Sequence, residues 1–305
     1  MAGAEGVRSS QQTLRQMNCG RTDLWRVVAA RSIASHPPKE QRPRIPSACV
    51  ISQVSRTEMG ASNPPEPHGD GRSQSYRIQV LAPMTEAAVQ PLQRTCLYNE
   101  HLALNARMVP FGGWDMPVTY PAGQLAEHRA VRNAVGIFDV SHMGQVRFTG
   151  AGALAFLEQI VPADLRALLD GQSKYTQICN ENGGVIDDLI VSRLNRHEYF
   201  AVVNASTRVN DVKWMREKAR ELNAKECSIA DESEKWAMIA VQGPHALGVL
   251  DRHIPARIWS NTPAFTLNAF EALGEAHLLS RTGYTGEAGA ELICEYEVLD
   301  SGNIV

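Results

Sequence analysis

The sequence predicts an α+β fold of antiparallel sheets with flanking helices, on three observations. Residues 174–206 read as three strands joined by short turns. Two strand–glycine–helix units, VRFTGAGALAFLEQ and MIAVQGPHALGVLD, share one scheme: an apolar strand, a glycine (Gly150, Gly243), then a helix opening on xxALxxxL. The 305 residues are 44% hydrophobic and 21% charged, the composition of an ordinary globular chain with material for a sizeable core.

Taken in order, residues 1–92 stand apart. They are rich in Ser, Pro, Gln and Arg, include GASNPPEPHGDGRSQS, and sustain no period of 2 or 3.6, so they are expected to be disordered. The first 57 residues hold eight Arg and three acids, loosely like a transit segment, with the acids counting against it. Alternatively, the native start is Met84, which opens MTEAAVQPLQRT. The compartment follows that choice: cytoplasm, or the mitochondrial matrix if residues 1–83 are a genuine transit segment.

From residue 93 the pattern tightens, and residues 93–298 are expected to form the folded domain. QVRFTG (145–150) alternates like a half-buried strand, and GALAFLEQIV places Leu154, Leu157, Ile160 and Val161 on one helical face. KYTQIC, the turn NENGG and VIDDLIVSRL form a hairpin, with Asn and Gly for positive φ, and HEYFAVVNAS completes a meander. Ser206 or Thr207 caps a helix to about Leu222, with Val209, Val212, Met215, Ala219 and Leu222 inward. RTGYTGEAGAELICEYE (281–297) reads as a glycine-rich hairpin or a substrate loop, with Glu287 and Glu291 supplying carboxylates.

Several function classes drop out. Thirty basic against 33 acidic residues, a formal charge of −3, give no global reason to bind nucleic acid or an anionic membrane. No apolar stretch approaches the length of a membrane span. The six cysteines lack CxxC or CxH spacing, which argues against zinc and a disulfide framework. GAGALA (150–155) fits GxGxxA, but the preceding strand carries Gln145 and Arg147 where a dinucleotide fold has an apolar one, so a simple helix start is expected. His142 in SHMG has no nucleophile or metal-ligand spacing around it and is assigned no chemistry.

GGVIDDLIVSRL (183–194) raises the chemical question, because two carboxylates interrupt an apolar run and ionised groups there need partners. On a strand Asp187 and Asp188 point to opposite faces. Asp188 is in phase with Ile186 and Ile190, Asp187 with Val185, Leu189 and Val191, so both faces are apolar and phase alone does not choose. An aspartate paired with a backbone donor or Arg193 is the structural reading.

LYNEHLALNARMVPFGGWDMPVTYPAG, GIFDVSHMGQ, NENGGVIDDLIV, VVNAS, MIAVQGP and RTGYTGEAGAEL follow one another in the order and spacing of the aminomethyltransferase, or T-protein, family of the glycine cleavage system, and the chain resembles that family from about Leu92 to Leu292. The resemblance implies an enzyme that takes the aminomethyl group from the lipoyl arm of a carrier protein (the H-protein), releases ammonia and passes the one-carbon unit to tetrahydrofolate. It places the catalytic role on Asp188 and leaves Asp187 structural. It also implies folate contacts at Met143, Tyr175, Val202, Asn204, Tyr284 and Glu291, and no metal. Two departures stand out: Ala288 replaces the acid of the family's GEDG, and the family continues past this chain's end with an Arg-containing folate segment and a C-terminal β-domain, so residues 299–305 are read as a non-family tail. A shortened chain is expected to bind folate weakly, transfer little and dissolve poorly. The resemblance leaves one alternative, a folate-binding accessory module of the iron–sulfur cluster type; those relatives carry Cys where this chain has Gly283. A folate domain of a dimethylglycine- or sarcosine-oxidising flavoenzyme would need a dinucleotide-binding domain, for which residues 1–92 have no pattern.

Overall fold

The computed structural model describes residues 49–51 and 91–295, apart from 253, 255–257, 259–261 and 273–274. The expected disorder of residues 1–92 and the tail 299–305 lie outside these, except that Cys49–Ile51 forms strand β1 and residues 91 and 92 are described. Then follow α1 (Tyr98–Ala103), β2 (Arg107–Phe111), β3 (Trp114–Thr119), α2 (Gln124–Asn133), β4 (Gly136–Asp139), β5 (Gly144–Thr149) and α3 (Ala153–Ile160). The meander is β6 (Ser173–Cys179), β7 (Val185–Asn195) and β8 (Glu198–Val203), and α4 (Arg208–Glu221), β9 (Ser228–Asp231), β10 (Trp236–Gln242) and α5 (Ala246–Leu250) come next. The last strands are β11 (Leu267–Ala272), β12 (Glu275–Ser280) and β13 (Gly289–Glu295).

These strands make a six-stranded sheet, β1-β4-β10-β13-β12-β11, a five-stranded sheet, β6-β7-β8-β5-β9, and the separate hairpin β2–β3. All pairings among the described strands are antiparallel except β1 with β4. The α+β expectation therefore holds.

Alternation along the strands explains how the sheets stack. On β8, Tyr199, Ala201 and Val203 join the cluster packed with Phe156, Leu157 and Ile160 of α3 and Val212 and Met215 of α4, whereas Phe200 and Val202 join Met238, Ala240 and Ile293 of the other sheet. The six-stranded sheet's remaining face, with Ile239, Val241 and Leu292, is covered by Leu97 at the start of α1 and by Ala246 and Leu250 of α5. The order of layers is helix, sheet, sheet, helix. β10 is buried along its whole length because both its faces are covered.

The repeated units close the same way. Gly150 and Gly243 both take positive φ (113° and 135°), and a Cβ would lie 2.0 Å from the Glu226 carbonyl oxygen at the first and 2.5 Å from that of Ala134 at the second. Chain packed against Gly150 and Gly152 leaves GAGALA as a helix start, as expected.

Three side-chain expectations need correcting. Val209 and Leu222 are exposed (71% and 44%); the inward face of α4 is Asp211, Val212 and Met215, since a carboxyl occupies the position a binary pattern reserves for an apolar residue. Gln145 is fully buried, because the face that alternation marked as solvent is covered by the second sheet. The Arg193 reading also fails: that guanidinium pairs with Asp170 at 2.8 Å and reaches neither Asp187 nor Asp188.

Candidate functional site

The backbone register settles the phase of the two aspartates. Asp188 lies opposite Gln177, and Tyr175 opposite Ile190, which in turn faces Val202. Directly paired residues share a face, so Tyr175, Asp188 and Val202 stand on the side of the five-stranded sheet turned to the other sheet. Asp187, in phase with Leu189 and Val191, stands on the helical side.

Asn204, just past β8, joins the two. Its Nδ2 donates to Asp187 Oδ1 at 2.8 Å, to Asp188 Oδ1 at 2.9 Å and to the Asp188 carbonyl at 3.2 Å. Only the amino end of the amide can face two carboxylates, so their charges dictate its orientation. Thr207 donates to Asp187 Oδ2 at 2.6 Å. Burial raises the Asp187 pKa, but the hydrogen bonds from Thr207, Asn204 and Asp211 outweigh it and hold the carboxyl below its ordinary value. Asp188 has fewer donors: the Asn204 amide at 2.9 Å and the neighbouring Tyr175 hydroxyl, whose pKa is raised first by its hydrogen bond to Asp188 and then by that carboxylate's charge.

The opposite wall comes from the glycine-rich hairpin between β12 and β13. Glu291 pairs with Ala240 and Ser280 and is in phase with Ile293, so it points between the sheets, where it is 2% exposed. Burial pushes its pKa up to about 7, opposed by a hydrogen bond from Thr282 Oγ1. Tyr284 is half exposed (52%), and its phenol is raised first by desolvation, then by the charges of Glu291 and Asp188. Met143 and Val202 belong to the apolar slab behind these groups. All seven sequence-predicted residues thus face one interlayer region: Met143 and Val202 as its floor, Tyr175 and Tyr284 as an exposed rim, and Asp188, Asn204 and Glu291 as its polar groups. Glu287 does not join them and pairs with Arg132 at 2.7 Å.

Among the described residues, two buried polar atoms have no hydrogen-bond partner: Nδ1 of His142, adjacent in sequence to Met143, and Oε1 of Gln145, which is paired with Val202. His142 packs edge-on against Phe111, with burial lowering its pKa and keeping the ring neutral near pH 7. A cavity of about 420 Å³ between α4 and β9 is lined by Val209, Val212, Lys213, Arg216, Glu217, Arg220 and Asp231 and holds none of the seven residues. Its walls include charged tips of an exposed helix face, whereas groups with perturbed pKa values gather at the buried Glu291 and the half-buried Asp187.

Sequence reasoning missed Asp211. It is 1% exposed, lies against Asp187, and is raised to about 7 by burial first and then by the Asp187 carboxylate. The available signal was its i, i+4 spacing from the inward Met215. Gln242 was missed as well; it accepts from Thr285 Oγ1 (2.9 Å) and donates to the Thr282 carbonyl (3.2 Å), bracing the hairpin that bears Tyr284.

Comparison with known proteins agrees with this architecture. The family model described as "GCVT N-terminal domain" matches residues 97–301, more than half of the chain. An aminomethyltransferase of Deinococcus deserti is 42% identical over 70% of this chain and 58% of its own length, and one of Desulforamulus reducens is 44% identical over 67% and 54%. The crystal structure of the glycine cleavage system aminomethyltransferase T from Bartonella henselae superposes with a TM-score of 0.60 at 34% identity, covering 67% of this chain and 54% of that one. The chain spans a little over half the length of these relatives. With a match of that extent, running through every segment that builds the interlayer region, the chain belongs to the GCVT N-terminal domain family.

Proposed function

We propose that the interlayer region is the tetrahydrofolate site of a glycine-cleavage aminomethyltransferase, which takes the aminomethyl group from a lipoyl-bearing carrier protein and releases ammonia. The observation that carries this reading is the Asp188 carboxylate, turned to the interlayer side and held by the Asn204 amide at 2.9 Å with the Tyr175 hydroxyl beside it, which leaves acceptor capacity for a ligand. The walls suit a flat heterocycle edged with donors and acceptors. Met143 and Val202 offer apolar surface, Tyr175 and Tyr284 offer ring faces, and Glu291 and Gln145 Oε1 are buried polar groups short of partners among the described residues.

When bound, tetrahydrofolate supplies the nitrogen that accepts the one-carbon unit. The protein's part is charge and position. The Asp188 carboxylate stabilises positive charge that develops on the reacting nitrogen and carbon. Asn204 holds that carboxylate from behind, so it need not reorganise. Glu291, neutral over much of the range below about 7, can donate a proton into a hydrogen bond with an acceptor on the ligand's edge. The two tyrosine rings narrow access to water. We assign the reaction to the cytoplasm, in line with the bacterial relatives.

Gly283 argues against the accessory-module reading. A Cβ there would lie 2.2 Å from Gln242 Oε1, and Gln242 is buried and bonded to Thr282 and Thr285, so a Cys at this position would displace the brace of the hairpin. The test is ammonia release from an aminomethyl-loaded lipoyl carrier with tetrahydrofolate present. Folate-dependent release is expected; tetrahydrofolate binding without any release would favour the accessory module.

A further inference from the structure

Behind Asn204 lies a second carboxyl pair that the transfer chemistry does not use. Asp211, in the first turn of α4, is 1% exposed, and among the described residues neither of its oxygens has a hydrogen-bond partner within bonding geometry; the nearby Thr207 hydroxyl, which donates to Asp187, lowers the Asp211 pKa by less than burial and the Asp187 carboxylate raise it. The side chain it meets is the Asp187 carboxylate, both of whose oxygens already accept, Oδ1 from Asn204 and Oδ2 from Thr207. Neither aspartate takes part in an ion pair among the described residues. The nearby cations are engaged elsewhere: Arg208 with Glu234 and Asp231, and Lys218 with Glu181 and Glu221. The titratable groups facing Asp211 from the packed elements are Asp187 and, across Asn204, Asp188, both on β7. A fully buried carboxyl that faces the half-buried, ionised Asp187 with no cation beside it keeps its proton. The Asn204 and Thr207 donors already identify Asp187 as the ionised member, which makes Asp211 the acid that donates to it.

We propose that Asp211, as a neutral acid, is a positioning residue: its proton bridges to Asp187, and the bridged pair fixes the Asn204 amide that holds Asp188. This rests on the proposed role of Asp188. Its pKa, raised to about 7, sets the range of action. Below that value the pair holds one charge and Asn204 donates to both aspartates. Above it a second charge enters a buried site, Asp187 is pushed off its donors or water is drawn in, and the amide loses its fixed orientation.

The test follows the Asn204 side-chain amide by NMR in full chains carrying isotope-labelled asparagine, its signals assigned by their loss in Asn204→Asp. In the wild type the amide is expected to titrate with a midpoint near 7 within a scan from about pH 5 to 9. In Asp211→Asn, whose amide donates to Asp187 at every pH, the Asn204 signals are expected to stay flat, and turnover at low pH is expected to be retained. Glu291→Gln is expected to keep the titration, because Glu291 also titrates near 7 but lies on the opposite wall. Asp211→Leu, which has no donor, is expected to lower kcat by roughly tenfold with the KM for tetrahydrofolate unchanged. If Asp211→Leu does not fold, the titration decides alone. An Asn204 amide that does not titrate in the wild type, that still titrates in Asp211→Asn, or that stops titrating in Glu291→Gln overturns the proposal. A wild type that titrates as expected but transfers nothing refutes the assigned activity and leaves the Asp211–Asp187–Asn204 linkage standing.

Discussion

Glu291 and Asp139 are both buried carboxyls, and their environments drive them in opposite directions. Glu291 has one hydroxyl donor and rises to about 7. Asp139 is raised by burial too, but the hydrogen bond and charge of His101 outweigh that and hold it below the ordinary carboxylate range. The signs for stability follow. The folded chain keeps the Glu291 proton between the ordinary carboxylate value and about 7, where an unfolded chain has released it, so this group makes stability fall as pH rises through that window. Glu291→Gln is expected to melt close to the wild type near pH 4 and roughly a few degrees above it near pH 8. Melting curves at the two pH values check this; an offset that does not change with pH would contradict it. Asp139 acts the other way, contributing stability above the ordinary carboxylate value that is lost as pH falls through its depressed one.

At the scale of elements, His101 is the tie between α1 and β4. Its Nε2 meets Asp139 Oδ2 at 2.8 Å, its Nδ1 meets the Tyr120 hydroxyl at 2.8 Å, and both His101 and Asp139 are buried. His101→Ala strands a buried carboxylate and is expected to cost about 3–5 kcal/mol by chemical denaturation. Gly150→Ala places a Cβ 2.0 Å from the Glu226 carbonyl at φ 113°, so the turn into α3 must open, with an expected loss of about 1–3 kcal/mol. The local elements were legible in the sequence: the meander with its Asn180–Gly184 turn, the helix after Thr207 and the two strand–glycine–helix units all carry period or turn chemistry within a few residues, although the expected side-chain cap does not form because the Thr207 hydroxyl donates to Asp187. The phase of Asp187 and Asp188 was not legible, because β7 is covered on both sides and leaves apolar residues on both faces. Nor was Asp211, which a hydrophobic pattern assigns to solvent and the fold turns inward. The family resemblance singled out Asp188, which the fold turns between the sheets, while local physics reached only the strand.

At the scale of the molecule, the slab between the two sheets joins the structural and chemical parts. Phe200 and Val202 of one sheet and Met238, Ala240 and Ile293 of the other form one buried cluster, and Met143 ties the turn after β4 into it. Both walls of the candidate site therefore stand on a shared foundation. Ile293→Ala is expected to cost about 2–5 kcal/mol and to lower hydrogen-exchange protection in both sheets together; loss confined to the six-stranded sheet would mean that the walls are independent. That stacking also separates the two aspartates, sending Asp188 between the sheets and Asp187 toward α4. The most direct test measures single-turnover transfer from an aminomethyl-loaded lipoyl carrier in wild type, Asp188→Asn and Asp187→Asn, with calorimetric titration of tetrahydrofolate alongside. Asp188→Asn is expected to lose most of the transfer rate, roughly a hundredfold or more, while keeping its folate affinity, and Asp187→Asn to lose less. Near-normal transfer by Asp188→Asn with abolition in Asp187→Asn would contradict the account.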